Sequence, residues 1–214
     1  MPYRNTQIAT NPPARRVVVL VLDGLRADLV GDARFPNLLA LRDSSAYSLD
    51  ATTVLPSVTA VAMTSLLSGV TPSDHGVVSD RFRVPDDSRA LQTVPHLISR
   101  AGLPTFGVVQ QVPSLLRPLA KRIVRALGLD TVQFGQSNAH AHHDSAHPFD
   151  CAIPIFLDGA GILPQHLAGG LTLLDVPATV LWALGMPVPD RYAGTPIRDA
   201  FMSAVQAPIP ATAA

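Results

Sequence analysis

The 214-residue sequence predicts an α/β fold: a three-layer α/β/α arrangement built on a mostly parallel central sheet. Three observations lead there. The run Val17–Leu22 is wholly aliphatic and bounded by Arg15-Arg16 and Asp23-Gly24, the pattern of a strand buried on both faces of a parallel sheet. After it, short apolar runs alternate with helical patterns, which favours parallel strands with helices on both faces. The composition, 47% hydrophobic and 15% charged, is that of a chain able to fill a core.

The elements follow in order. Phe35–Asp43 reads as a helix, with Pro36 suited to its first turn. Ala46–Thr53 reads as a strand. Thr59–Ser68 reads as a helix closed by Gly69, since glycine takes the left-handed backbone that ends helices without a Cβ penalty. Thr93–Ala101 is a helix ended by Gly102, and Thr105–Gln110 a strand. Leu115–Leu127 is a basic amphipathic helix with Arg117, Lys121, Arg122 and Arg125, ended by Gly128; its charges read as a solvated face. Ala152–Leu157 is a strand broken by Pro154, which places it near a sheet edge. Asp175–Leu184 is a helix capped by Asp175, with Pro177 in the first turn and Gly185 at its end.

One domain is expected over residues 16–204, with disordered tails at 1–15 and 205–214. Sixteen basic and sixteen acidic residues give zero formal net charge, so the footprint of a nucleic-acid binder is missing. The single cysteine, Cys151, excludes an intramolecular disulfide and a cysteine-based zinc cluster. No apolar run approaches the length that crosses a bilayer, and Met1–Arg16 is polar, without the apolar core of a secretory signal. The expected location is therefore the cytoplasm, with no membrane partner.

Chemistry concentrates at three places. Asp23 follows the first predicted strand, where open α/β sheets bind ligands. A carboxylate there can hold a metal ion or simply form a turn. Thr59 opens a helix. It is either an ordinary N-cap or a nucleophile in a place that favours anionic oxygens. A threonine hydroxyl is too weak an acid to attack unaided and needs a base or a metal. Four of the seven histidines lie within His140–His147, among them His142, His143 and His147. Such a tract binds zinc or is a polar loop.

The stretches VVVLVLDGLRADLV (17–30), FPNLLALRDSSA (35–46), LPSVTAVAMTSLLSGVTPSDHGVVSDRF (55–82), HDSAHPFDCAIPIFLDGAGI (143–162) and LLDVPATVLWALGMPVPDRYAGTPI (173–197) together resemble the alkaline-phosphatase superfamily. The closest branch is the type I phosphodiesterase/nucleotide-pyrophosphatase group, with sulfatases as cousins. The resemblance implies that Asp23 is a zinc ligand, Thr59 the metal-activated nucleophile and His143 the late histidine ligand, with His147 and His142 as alternatives. It implies one or two zinc ions and a small phosphoester substrate. Sulfatases place a formylglycine-forming cysteine at the register of Thr59 and a helper arginine at that of Met63. The residues present here exclude that chemistry. Asp74 and His75 fall in the family's Pro-x-x-His-Gly turn and are implied to be scaffold.

The chain also departs from the pattern. Gly102–Asn138 separates the early and late blocks and offers Asp130 as its only acid and no histidine. The central metal-ligand segment and cap are thus expected to be missing. The Thr59 helix carries Ala60, Val61 and Ala62 where many phosphodiesterases have an asparagine for a phosphate oxygen. Two functions follow: a metal-dependent phosphoester hydrolase with a threonine nucleophile, or an impaired relative acting as a binding module or deletion product.

Overall fold

The structure is a computed structural model that describes residues 12–80, 91–109, 112, 114–135, 151–159 and 161–202. The expected C-terminal tail and most of the N-terminal one, residues 1–11, lie outside them. From Pro12 onward the chain is placed, and the Ala14 amide donates to the Ala183 carbonyl at 3.0 Å.

The fold is mixed α/β. In chain order it runs through helix α1 (Pro36–Ser44), strand β1 (Ala46–Thr52), helices α2 (Thr59–Ser68), α3 (Pro72–His75) and α4 (Val94–Arg100), strand β2 (Phe106–Val109), helix α5 (Arg117–Ala126), strands β3 (Thr131–Phe134), β4 (Ala152–Leu157) and β5 (Gln165–His166), and helix α6 (Asp175–Ala183). Two small sheets form among the described residues. One has the order β4-β1-β5, with β4 antiparallel and β5 parallel to β1. The other is the parallel pair β2-β3, joined by α5 as a crossover helix.

Local chemistry explains most boundaries. Pro36 sits in the first turn of α1. Gly69 ends α2 with φ of 68°. Thr93 caps α4, accepting from the His96 amide at 3.3 Å, and its hydroxyl donates to the Leu127 carbonyl at 2.6 Å. The start of α4 is thereby tied to the end of α5. Pro154 falls on the edge strand β4, as its missing N–H requires. Ser48 pairs with Ile155 and Ala51 with Ile153, so Leu49 and Asp50 bulge opposite the proline.

Asp130, the only acid of the Gly102–Asn138 interval, is a register pin. It accepts from the Thr105 amide (3.0 Å), the Thr105 hydroxyl (2.9 Å) and the Ser99 hydroxyl (2.9 Å). The Thr105 hydrogen bonds, backbone first, hold its pKa below the usual carboxylate value.

Three expectations need correction. Val17–Leu22 forms no strand among the described residues. Instead Val17 is partly buried against the larger apolar cluster and the rest is exposed, Val18 at 82% and Leu20 at 78%, with Val19, Val21 and Leu22 about half exposed. A parallel strand is buried only when strands flank it and helices cover it. Here β1 is flanked on both edges by β4 and β5, and β2 pairs with β3. The predicted helix over Leu115–Leu127 begins as a 3-10 turn, Ser114–Leu116, and becomes α-helical only at Arg117, with Pro118 in its first turn. Asp175 lies inside the first turn of α6, whose N-cap is Leu174. Its carboxylate instead accepts the Thr172 and Thr195 amides, each at 2.7 Å, and pins the chain on both sides of α6.

The larger apolar cluster joins β1 and β4 to α4 and α6 through Ala46, Ile155, Leu97, Leu181 and Trp182. A smaller one, Val54, Val61, Val77 and Leu174, lies beside α2. Among the described residues, no helix is long and apolar enough to cross a membrane.

Candidate active site

Leu22–Leu25 is a turn closed by the Leu25 amide on the Leu22 carbonyl at 3.3 Å. Gly24 occupies its third position at φ of 71°, which a side chain adopts only with strain. The turn presents Asp23 to solvent. Thr59 is the first residue of α2 and is also exposed. The two meet across 36 residues of sequence: the Thr59 hydroxyl donates to Asp23 Oδ2 at 3.1 Å.

The N-cap position of α2 is Val58, which has no side-chain acceptor. The Thr59 hydroxyl serves the contact with Asp23, and the Ala60 amide donates to Asp80 Oδ1 at 2.8 Å. Asp80 is the participant that sequence reading missed. No local signal pointed to it, because in the sequence Thr59 itself reads as a polar N-cap.

The buried polar face of α2 is satisfied internally. Thr64 donates to the Ala60 carbonyl at 2.7 Å and Ser68 to the Thr64 carbonyl at 2.6 Å. Ser65 and His75 Nε2 are 2.9 Å apart, and the Val77 amide donates to His75 Nδ1 at 3.1 Å. An accepting Nδ1 puts the ring proton on Nε2, so the imidazole is neutral and donates to Ser65. Burial lowers the His75 pKa, with Asp74 opposing. Asp74 is exposed and accepts from the Thr71 hydroxyl at 2.6 Å.

Just beyond Asp23, Arg26 and Asp28 form an exposed pair at 2.6 Å. The Arg26 hydrogen bond, ahead of its charge, holds the Asp28 carboxyl below its usual pKa.

Asp23 and Thr59 present oxygens that suit a hard or borderline cation. Among the described residues there is no group of three or more His, Cys, Asp or Glu side chains able to hold a metal ion. His142, His143 and His147, the expected histidine ligands, lie outside the described residues.

The family model for type I phosphodiesterase/nucleotide pyrophosphatase matches residues 17–172, a span that contains Asp23, Thr59 and the histidine tract. The chain belongs to this family. An uncharacterized pyrophosphatase/phosphodiesterase of Schizosaccharomyces pombe is 34% identical over 76 residues. That alignment covers 36% of this chain and 16% of the relative's length, so the match spans a small part of that protein. No solved structure gives a significant match.

Proposed function

We propose that the chain is a metal-dependent phosphoester hydrolase in which Thr59 is the nucleophile. Membership of the phosphodiesterase/pyrophosphatase family supports the reaction class. The observation that carries the assignment is the 3.1 Å hydrogen bond from Thr59 to Asp23. It brings the proposed nucleophile beside a carboxylate suited to a metal ion, at a helix start whose dipole favours an anionic phosphoryl oxygen.

Asp23 and Thr59 would hold zinc with a histidine of the His140–His147 tract, His143 first and His142 or His147 as alternatives. Bound zinc supplies Lewis acidity, which brings a hydroxyl within reach of ionisation near neutral pH. The chain's own residues do the rest. Asp23 orients the Thr59 oxygen and accepts its hydrogen. The Thr59 oxygen bonds to phosphorus in line as the P–O bond to the ester oxygen breaks and that oxygen leaves as the alcohol; water then cleaves the threonine–phosphorus bond, releasing phosphate from a monoester substrate or a phosphate monoester from a diester. The start of α2 stabilises negative charge on the phosphoryl oxygens. The family fold in this reading is three-layered around a mostly parallel sheet.

The test combines zinc content with hydrolysis of aryl phosphate mono- and diesters. The expected outcome is tightly held zinc and turnover that chelation removes. In the triple variant His142→Ala, His143→Ala, His147→Ala, zinc uptake should be lost with the fold intact. Unchanged zinc stoichiometry in that variant would overturn the histidine assignment. Absence of turnover in zinc-loaded wild type would favour a non-catalytic binding module.

A further inference from the structure

We propose that Asp80 is a positioning residue for Thr59: it caps α2 from a distance and so leaves the Thr59 hydroxyl committed to Asp23. The proposal rests on the reading of Thr59 as nucleophile.

A helix start leaves amides without intrahelical partners, and a Ser, Thr, Asp or Asn at the N-cap normally takes one of them. Here the N-cap is Val58, which cannot. Thr59, the first residue of the helix, carries a hydroxyl of its own, and threonine readily hydrogen-bonds to neighbouring backbone. Left alone, that hydroxyl is drawn to its own helix start and away from Asp23. Asp80 removes the competition, because its Oδ1 takes the Ala60 amide at 2.8 Å while the Thr59 hydroxyl points to Asp23 at 3.1 Å. A carboxylate suits this place, since it faces the positive end of the helix dipole.

The path of the chain explains how Asp80 reaches so far. After Gly69 the backbone reverses through α3 and returns along α2. His75 meets Ser65 in mid-helix at 2.9 Å. Val77 joins Val61, one turn earlier, in the smaller apolar cluster. Asp80 then arrives at Ala60. The buried His75–Ser65 contact and the Val77–Val61 packing thus set the reach of an exposed carboxylate. Asp80 is exposed, so its contribution is orientation rather than packing.

The experiment compares wild type, Asp80→Ala, Asp80→Asn and Thr59→Ala. Asparagine keeps an oxygen acceptor at the same place, whereas alanine removes it. With Asp80→Ala, kcat should fall about tenfold or more while KM changes little, the signature of an interaction that matters at the transition state. Asp80→Asn should keep most of the wild-type kcat. Independently of turnover, three-bond couplings in the NMR spectrum should show one Thr59 rotamer in wild type and Asp80→Asn, and averaging in Asp80→Ala. A single unchanged rotamer in Asp80→Ala, or a lower melting temperature with unchanged rotamer and kcat, would overturn the proposal and leave Asp80 a structural cap. Equal rates for wild type and Thr59→Ala would defeat the nucleophile reading instead, and the rotamer measurement would still decide the role of Asp80.

Discussion

The two members of the Thr59–Asp23 pair are delivered by very different supports. Thr59 stands on α2, which packs against α3, α4 and α6 and buries Val61, Thr64, Ser65, Leu66 and Ser68. Asp23 ends an aliphatic run whose side chains are about half exposed or more from Val18 to Leu22. One half of the site is fixed by packing, and the other by a turn and a hydrogen bond. One member of the pair is thus held rigidly, and the approach of the second is set by a few polar contacts. The comparison also separates hydrophobic sequence from hydrophobic burial. Val61 is fully buried while Leu20, equally apolar, is 78% exposed.

The sharpest way to break the rigid side is at Gly69. A Cβ there would collide with the Tyr192 ring, on a backbone with φ of 68°. Tyr192 cannot retreat easily: it is fully buried, and its hydroxyl donates to the Gln92 carbonyl at 2.8 Å. Gly69→Ala should cost roughly 3 kcal/mol or more, from overpacking and backbone strain together, read from denaturant unfolding. A loss below about 1 kcal/mol would show that the α2 support is softer than described.

Next in size is a matched pair of truncations. Val61→Ala should cost about 2 kcal/mol, the usual scale for removing buried methyl groups. Leu20→Ala should stay within about 0.5 kcal/mol of wild type, as exposed positions do. Equal large losses at both positions would mean that Val17–Leu22 is packed, and the contrast between the two regions would disappear.

The smallest effect is in pH. Burial lowers the folded-state pKa of His75 below its unfolded value of about 6.5. The unfolded chain therefore binds a proton more readily, and stability rises with pH through this range. The His75 contribution is complete above the unfolded pKa and is lost as pH falls through the lower, folded one. Unfolding titrations at pH 7 and pH 5 should show a loss in wild type that is smaller in His75→Gln. Identical pH dependence in the two proteins would remove His75 from the clamp that brings Asp80 to Ala60.

The sequence made some of this legible, for physical reasons that differ by element. The bounds of α2 and its end at Gly69 were readable because glycine acts locally. The edge position of β4 was readable because Pro154 lacks an N–H to share. The approach of Thr59 to Asp23 was suggested by motif order, and the two side chains do meet. Val17–Leu22 misled because an aliphatic run states a preference for burial without naming the strands that would flank it. Asp175 misled because its partners, Thr172 and Thr195, lie on both sides of the helix it was expected to cap. Asp80 stayed hidden because it supplies from 20 residues beyond Ala60 an oxygen that is usually local.

The central claim is that the Thr59 oxygen becomes bonded to phosphorus during turnover. Its most direct test is acid quenching of the zinc-supplemented protein during hydrolysis of an aryl phosphodiester, followed by peptide mass mapping. The account predicts a phosphoryl-bearing adduct on the peptide that contains Thr59, absent from Thr59→Ala, which should also lose turnover. Turnover by Thr59→Ala at the wild-type rate, or an adduct on any other residue, would contradict it.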